Sequence, residues 1–305
     1  MIKNEEEKNH RKLAKELRSI MENYNSNPVM NFEPAFQYLE RMPKDTDRQS
    51  FLMEIKYSKN ILEDVILSKE NLEIINDVVD DYYKSSRLKA YNLKPNTKLL
   101  FCGPPGCGKT LTAKALAGQL QLPLLYTKLD AIISSYLGDT ASNLRRVFEY
   151  INQGRWVVFF DEFDAIGKSR DDSNEHGEIK RVVNSFLQII DTYEGESIII
   201  AATNHQGLLD RAVWRRFDEI IFFDTPSKEE IERLIKLKLR TFPQYDINFE
   251  GVISELCGMS HSEIENICNE SMKICVKNNV NLLDTNIFEK AINKQKRRSD
   301  IYSIE

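Results

Sequence analysis

The chain has 305 residues, a length that suggests one large domain or two unequal ones. Its composition, with 41% hydrophobic and 29% charged residues, is typical of a globular protein. Its 42 basic and 47 acidic side chains give a net charge of -5, which argues against nucleic acid as a partner because there is no overall positive field. No apolar run approaches the roughly 20 residues of a membrane span and no secretory signal is visible, so we expect a soluble, cytoplasmic protein with no membrane partner. The five cysteines lack paired CxxC spacing, which indicates neither a disulfide framework nor a zinc site.

The first 60 residues predict a helical accessory or docking segment. Apolar side chains recur at helical spacing over residues 13–24, and a second short helix is expected over residues 35–41. No residue of this segment carries recognisable chemistry. After Ser68, a candidate N-cap, apolar residues again lie on one helical face over residues 72–83.

Short apolar runs alternate with helical stretches between residues 98 and 224. The runs are KLLFC, LPLLYT, RWVVFF, SIIIAAT and EIIFF. This alternation predicts a parallel β-sheet with helices on both faces, in an α/β nucleotide-binding domain over residues 61–224. Beyond it, S-x-x-E capping boxes begin at Ser227 and Ser260 and a further helix is expected near Asp284, so we predict an all-helical second domain over residues 225–305.

A glycine-rich segment, GPPGCGKT at residues 103–110, fits the pattern G-x-x-x-x-G-K-[ST] and stands between a predicted strand and a predicted helix. Such glycines let backbone N–H groups curl round phosphates, while Lys109 reaches the β- and γ-phosphates and Thr110 offers its hydroxyl to Mg²⁺. We therefore predict that the protein binds the phosphates of a nucleotide together with Mg²⁺; the resemblance described below implies that the nucleotide is ATP. The predicted nucleotide contacts in this stretch are Pro105, Gly106, Cys107, Gly108, Lys109, Thr110 and Leu111.

Two acidic residues, Asp161 and Glu162, follow the apolar run WVVFF. A central parallel strand would deliver both to the carboxyl edge of the sheet, where nucleotides bind. Asp161 is predicted to hold Mg²⁺ through water, and Glu162 to act as the general base that polarises the attacking water. The alternative is a solvated acidic strand end, which the preceding phosphate loop makes the minor interpretation.

The segments GPPGCGKT, FFDEFDAIG and IIIAATN, followed by RRFD, resemble the AAA+ ATPases, and specifically the AAA clade, over roughly residues 61–297. The resemblance implies that Asn204, at the end of IIIAATN, helps to orient the attacking water. It also implies that Arg215 and Arg216 are arginine fingers supplied to a neighbouring subunit. The family stretch LLRPGRFD is AVWRRFD here, so Arg216 aligns with the RFD arginine, whereas Arg215 matches the first family arginine only across a two-residue deletion.

The resemblance further implies a homo-oligomeric ring, a hexamer, with a central pore that grips polypeptide. Tyr136, Leu137 and Gly138 occupy the place of the family's first pore loop, and residues 168–177 the place of the second. The alternative for Tyr136 and Leu137 is a pair that packs in the core. The alternative for residues 168–177 is a merely solvated polar loop. Arg181 resembles a family arginine at the subunit boundary.

Two further segments resemble those that surround the adenine in the family. Asp64 and Val65 match the segment that flanks the base. In the helical domain GMSHSEI corresponds to the family's GFSGADL, so that Ser262 is an implied ATP contact, although His261 and Ser262 replace the small pair Gly-Ala.

The segments LEDVILSKEN, SSYLGDTASNLRRVF and AVWRRFD resemble those of stand-alone bacterial AAA proteins that occur beside subtilisin-like serine proteases in toxin–antitoxin or defence systems. The resemblance implies an ATPase that remodels or threads a protein client, with any proteolysis supplied by a partner. An ATP-dependent switch that controls a partner protein without threading shares every motif and stays open. A DNA-handling ATPase is disfavoured by the acidic balance of charges.

Overall fold

The structure is a computed structural model that describes residues 42–45, 51–132, 137–163, 176–205, 207, 209 and 211–302. Both helices predicted before residue 42 lie outside this range. The elements given below belong to one compact unit, Pro43–Glu305. Among the described helices, none combines the length and the apolar character needed to cross a membrane.

The strands and helices follow each other in the order expected of an α/β domain with a helical region after it. The strands are β1 (Met53–Lys56), β2 (Lys98–Cys102), β3 (Leu124–Lys128), β4 (Val157–Asp161), β5 (Ile198–Thr203), β6 (Glu219–Phe222), β7 (Gln244–Asp246) and β8 (Leu282–Asp284). A 3-10 helix (Leu62–Asp64) precedes the α-helices. These are α1 (Lys69–Tyr83), α2 (Ser85–Ala90), α3 (Lys109–Gln119), α4 (Leu129–Ile132), α5 (Leu137–Ile151), α6 (His176–Thr192), α7 (Arg211–Trp214), α8 (Lys228–Leu239), α9 (Phe249–Leu256), α10 (His261–Lys277) and α11 (Thr285–Tyr302).

Six strands form one sheet in the order β1-β3-β4-β5-β2-β6. Strand β2 pairs in parallel with β5 and β6, and β4 pairs in parallel with β3 and β5. Each of the apolar runs named from the sequence is a strand of this sheet, which confirms the predicted α/β class. The parallel pairing places the carboxyl ends of β2, β4 and β5 side by side at one edge.

The sequence does not predict strand β1. Its four residues pair antiparallel with β3, with Met53 opposite Thr127 and Lys56 opposite Leu124. The first 60 residues were expected to contain helices, and part of them is instead an edge strand of the main sheet. A strand this short shows too little alternation of apolar and polar residues to be recognised. The domain boundary near residue 60 stays a prediction.

Different helices cover the two faces of the sheet. Phe159 and Phe160 are consecutive on β4 and both are buried, because neighbouring side chains of a strand point to opposite faces. Phe159 packs in the hydrophobic cluster that contains Leu116 of α3. Phe160 stacks on Phe148 of α5 with ring centroids 5.8 Å apart and meets Phe186 of α6 edge-on at 5.2 Å. Helices on both faces are therefore confirmed.

The region after residue 224 is built from helices α8 to α11 around a core of its own. Ser227 and Ser260 begin α8 and α10 with the predicted capping boxes, in which Glu230 and Glu263 bond back to the cap residue. The Asp284 carboxylate caps α11 by accepting a backbone N–H at 2.8 Å. The short parallel pair of strands β7 and β8 is an addition that the sequence does not predict.

Residues 65 and 66 join the core of the sheet to the core of the helical region. Val65 is buried in the cluster around the sheet, whereas Ile66 is buried with Leu234 and Ile267 among the helices. Neighbouring side chains of an extended segment point in opposite directions, and Val65 is extended. The segment that resembles the family's adenine-flanking segment is thus anchored in both cores.

Helix α3 is approached closely by the chain that leads into the 3-10 helix. A Cβ on Gly118 would lie 2.0 Å from the carbonyl oxygen of Asn60, and a backbone carbonyl cannot turn aside as a flexible side chain can. Gly118 therefore allows this chain segment, and with it Asp64, to lie against the helix.

We predict that Gly118→Ala lowers the free energy of unfolding by about 1–3 kcal/mol, the cost typical of overpacking. The matched control is Gly251→Ala in helix α9, where the nearest atom to a Cβ would be Asn248 Nδ2 at an ordinary 3.6 Å. That variant should gain about 0.4–1 kcal/mol through a less flexible unfolded chain. Urea denaturation measures both, and wild-type stability in Gly118→Ala would contradict the close approach.

Candidate nucleotide-binding site

The predicted phosphate loop lies between strand β2 and helix α3. Gly103, Gly106 and Gly108 have φ values of +141°, +76° and +100°, which glycine adopts at little cost. Gly103 also has no room for a side chain, because a Cβ would lie 1.9 Å from the carbonyl oxygen of Phe223. Lys109 begins helix α3, so the loop brings backbone N–H groups and the positive end of a helix to the same place.

Lys109 is the buried cation of this loop. It is 7% exposed, and its Nζ donates to the carbonyl oxygens of Gly103 at 2.6 Å and Pro104 at 2.8 Å. These bonds hold the ammonium group within the loop, where a bound phosphate would meet a positive charge. The next residue, Thr110, is partly exposed, and Pro105 is exposed on the outside of the loop.

Asp161 and Glu162 lie at the carboxyl end of β4. Asp161 is the last residue of the strand, and its Oδ2 accepts a hydrogen bond from Tyr126 Oη at 2.5 Å. Its Oδ1 accepts a second hydrogen bond, from the backbone N–H of Glu162 at 2.9 Å. Glu162 is exposed and has φ +52°, the left-handed conformation that non-glycine residues seldom adopt. The Asp161 carboxylate is thus fixed on both oxygens, while Glu162 is accessible.

Tyr126 is a residue of this site that the sequence motifs do not reveal. It lies on β3, half-buried, with its ring centroid 5.7 Å from that of Phe159. Burial, followed by the hydrogen bond to Asp161, raises the pKa of Tyr126 above its usual range. A tyrosine hydroxyl is protonated at neutral pH, and toward a carboxylate, which only accepts, it acts as the donor.

Asn204 follows strand β5, which lies between β2 and β4. The N–H of Gly103 donates to the carbonyl oxygen of Thr203 at 3.3 Å, so the chain after β5 lies beside the start of the phosphate loop. Asn204 is half-buried there. The parallel sheet therefore brings the loop, Asp161 and Asn204 to one edge, as the sequence predicts.

The start of helix α10 lies against the phosphate loop. The N–H of Ser262 donates to the carbonyl oxygen of Gly106 at 3.0 Å, and a Cβ on Gly106 would lie 2.9 Å from Ser260 Oγ. Cys107 is buried, and burial raises the pKa of its thiol. His261 is half-buried, and burial lowers its pKa. Ser262, an ATP contact by resemblance, thus belongs to a direct contact between the helical region and the loop.

A cavity of about 270 Å³ lies among the 3-10 helix, α3 and α8. Asp64 lines it, accepting a hydrogen bond from the N–H of Ile61 at 3.2 Å and pairing with Arg240 at 3.1 Å. These contacts, the backbone bond first, lower the pKa of Asp64. Leu111 also lines the cavity, whereas Val65 is buried in the core. The lining residues that the sequence motifs do not reveal are Asn60, Leu237, Lys238, Arg240 and Thr241.

Arg215 and Arg216 lie at the opposite, amino edge of the sheet. They precede β6, which runs parallel to β2 and separates them from the phosphate-loop edge by about 10 Å. Arg215 is exposed. Arg216 donates to the carbonyl oxygen of Ala212 at 2.7 Å and pairs with Asp191 at 3.2 Å. The sheet therefore keeps both arginines away from the phosphate loop of their own chain.

The predicted pore-loop residues fall mostly beyond the described part of the chain. Tyr136 lies outside it, as do residues 164–175, which include most of the second pore-loop segment. Leu137 and Gly138 begin helix α5, and Arg181 is part of helix α6.

A larger cavity, of about 350 Å³, lies at the amino edge of the sheet. Four basic residues line it: Lys89 and Arg155 both pair with Glu196, at 2.9 Å and 2.5 Å, Lys98 donates to the carbonyl oxygen of Ile190 at 2.7 Å, and Lys94 is the fourth. Asp191 and Asp218 also line the cavity and add negative charge. A triphosphate would meet these carboxylates, so the glycine-rich loop suits a nucleotide better than the larger cavity does.

A glycine-rich loop, two acidic residues and an asparagine at one edge of a parallel sheet, with helices against the loop, define a P-loop nucleotide-binding protein. Residues 99–225 match the family model described as "ATPase family associated with various cellular activities (AAA)". The "Uncharacterized AAA family ATPase y4kL" of Sinorhizobium fredii is 38% identical over 310 residues, which cover 98% of this chain and 89% of that protein. The chain belongs to the AAA family and is an ATPase.

Two other relatives are similar over a smaller part of the chain. The ATP-dependent zinc metalloprotease FtsH of Mycoplasmopsis synoviae is 30% identical over 240 residues, 76% of this chain and 36% of that protein. A putative cell division cycle ATPase of Plasmodium falciparum is 30% identical over 215 residues, 68% of this chain and 17% of that protein. The chain thus spans a minor part of both.

Proposed function

We propose that this AAA ATPase hydrolyses ATP with Mg²⁺ in a ring of identical subunits, a hexamer, and uses the energy to remodel or thread a protein client. The observation that carries the proposal is the separation of charged groups between the two edges of the sheet. The phosphate loop, Asp161 and Asn204 share the carboxyl edge, whereas Arg215 and Arg216 share the amino edge. A complete hydrolytic site therefore needs arginines from a second copy of the chain.

Within one subunit the proposed roles follow from chemistry and exposure. The buried Lys109 neutralises phosphate charge, and the exposed Glu162 is the general base that takes a proton from the attacking water. Asn204 orients that water. The remaining proposed ATP contacts of the loop are Pro105, Gly106, Cys107, Gly108, Thr110 and Leu111.

The residues proposed for the metal suit Mg²⁺, which prefers oxygen ligands. Thr110 offers a hydroxyl. The Asp161 carboxylate accepts hydrogen bonds from Tyr126 and Glu162 and, since a carboxylate has about four acceptor positions, it keeps capacity for a water on the metal. When bound, Mg²⁺ neutralises the charge that develops on the phosphates.

The adenine is proposed to occupy the 270 Å³ cavity lined by Asp64 and Leu111. The other proposed contacts are Val65, which follows Asp64 and is anchored in the core of the sheet, and Ser262, at the start of α10. Support comes from the cavity's position between helix α3, which begins with the phosphate loop, and helix α8 of the helical region. A nucleotide there would touch both parts of the molecule.

The client is proposed to be a protein gripped by Tyr136, Leu137 and Gly138 in the centre of the ring. This proposal rests on the resemblance of that segment to the family's first pore loop. Residues 1–60 are the proposed docking segment, 61–224 the nucleotide-binding domain and 225–305 the lid. Any proteolysis is assigned to a partner, for which the sequence resemblance suggests a subtilisin-like serine protease.

We predict that Lys109→Ala abolishes ATP binding, whereas Glu162→Gln retains binding and lowers turnover by about 10²–10⁴-fold, the usual contribution of a general base. Calorimetric titration of ATP and phosphate release measure the two effects. The matched control is Lys114→Ala, which removes a lysine further along helix α3 and should bind ATP as wild type does. Equal ATP affinity in Lys109→Ala and wild type would overturn the assignment of the phosphate loop.

A mixture of two inactive variants tests the supply of arginine from a second copy. Arg216→Ala and Glu162→Gln should each be inactive, but about one quarter of the sites in evenly mixed rings would combine an intact Glu162 with an intact neighbouring Arg216. We therefore expect the mixture to recover measurable hydrolysis. No recovery in demonstrably mixed rings, or full activity in a protein that stays monomeric with ATP, would count against this arrangement.

The ion pair of Arg216 with Asp191 provides the control for this experiment. Asp191→Asn breaks the pair and leaves the arginine in place. Because both partners are partly exposed, the pair adds little stability, and Asp191→Asn should retain hydrolysis. A loss equal to that of Arg216→Ala would instead attribute the effect to the pair within one chain.

A further inference from the structure

We propose that Tyr126 is a positioning residue that holds the Asp161 carboxylate in the orientation needed to bind metal-bound water, and that Lys56 of the edge strand helps to fix Tyr126. The inference rests on the proposed function, because Asp161 is the proposed magnesium residue. It assigns a part in the ATP site to strand β1, which lies outside the predicted nucleotide-binding domain of residues 61–224.

The register of two strands brings the tyrosine to the carboxylate. Tyr126 lies opposite Phe159, and Lys128 lies opposite Asp161, so Tyr126 and Asp161 are diagonal neighbours on one face of the sheet. With about 4.8 Å between strands and about 3.3 Å per residue along a strand, such neighbours are about 8 Å apart, a distance that a long side chain can span and a short one cannot. Tyr126 Oη spans it and donates to Asp161 Oδ2 at 2.5 Å.

The tyrosine ring is held from two sides. Its centroid is 5.7 Å from that of Phe159, in a tilted contact. Lys56 Nζ lies 4.1 Å from the same ring centroid, within the range of a cation–π interaction. Lys56 is itself paired with Glu54 on the same strand, at 2.9 Å. Strand β1 therefore adds a contact that limits how far the ring, and hence the hydroxyl, can move.

The other carboxylate oxygen of Asp161 is fixed by the backbone. Glu162, in its left-handed conformation, donates its N–H to Oδ1 at 2.9 Å. With one hydrogen bond on each oxygen, rotation of the carboxylate would break at least one of them. Removing the Tyr126 bond alone would free the carboxylate to turn while leaving its charge unchanged.

An orienting group of this kind is expected to affect metal binding rather than nucleotide binding as such. Loss of a hydrogen bond behind a metal-binding group typically weakens metal affinity by about 10–100-fold. Binding of the nucleotide without metal depends on the phosphate loop, whereas the Tyr126 hydroxyl donates its hydrogen bond to Asp161. If Tyr126 only supported the fold, its substitution would lower stability and leave the Mg²⁺ dependence of nucleotide binding unchanged.

The test is a titration of Mg²⁺ into the full chain with a fluorescent, non-hydrolysable ATP analogue. In Tyr126→Phe, the Mg²⁺ concentration that gives half of the magnesium-dependent increase in binding should rise about 10-fold. Affinity for the analogue in EDTA should stay within about 2-fold of wild type, since the phosphate loop is unchanged. Phenylalanine keeps the ring contacts with Phe159 and Lys56, so the melting temperature should be close to that of wild type.

Tyr193→Phe is the matched control. Tyr193 is a buried tyrosine whose hydroxyl accepts the backbone N–H of Ser197 at 3.1 Å, after helix α6 and away from Asp161. The substitution likewise removes a hydrogen-bonded tyrosine hydroxyl, but one that does not contact Asp161, and should leave the magnesium titration unchanged. Lys56→Met, which keeps Tyr126 intact, should raise the half-saturating Mg²⁺ concentration by about 2-fold, as expected for a weaker, partly exposed contact.

The outcomes separate this inference from the function on which it rests. Wild-type binding that does not respond to Mg²⁺, or an unchanged response in Asp161→Asn, would overturn the proposed metal site and this inference with it. A wild-type response that is lost in Asp161→Asn but unchanged in Tyr126→Phe would overturn the inference alone. If Tyr126→Phe does not fold, an unchanged response in Lys56→Met overturns the role given to the edge strand and to the fixed ring.

Discussion

Parallel pairing of β5 between β2 and β4 is the constraint on which the candidate site depends. Because the three strands run in the same direction, their carboxyl ends meet at one edge, which brings together Gly103, Asp161 and Asn204. Reversal of any one strand would send its terminal residue to the far edge of the sheet. The packing of aromatic rings on both faces, such as Phe160 on Phe148, holds this register and so holds the site.

The same constraint leaves each subunit without Arg215 or Arg216 beside its own phosphate loop, which is why the proposed function calls for a second copy of the chain. Strand β6 also runs parallel to β2, so the arginines that precede it lie at the edge opposite the phosphate loop. The helical region, in contrast, meets the loop directly, through the hydrogen bond from Ser262 to Gly106 at 3.0 Å. A nucleotide bound in the loop would therefore contact the sheet and the helical region of one subunit and, in the proposed ring, the arginines of the next.

The features that the sequence predicts well are local. The phosphate loop is a run of consecutive residues, and the capping box of Ser260 with Glu263 spans four residues, so each can be read without knowing the fold. Tyr126 with Asp161 and Asp64 with Arg240 are separated by 35 and 176 residues, and only the register of strands and the packing of helices brings them together. The domain boundaries and the roles of the site residues stay predictions, and Tyr136 lies beyond the described residues.

A crystal structure of the Glu162→Gln protein with ATP and Mg²⁺ tests the central claim most directly. The account predicts phosphates on the backbone N–H groups of residues 105–110, the metal beside Thr110 and Asp161, and Arg216 of a neighbouring copy facing the γ-phosphate. Nucleotide in the cavity at the amino edge, beside Lys89 and Arg155, would contradict it.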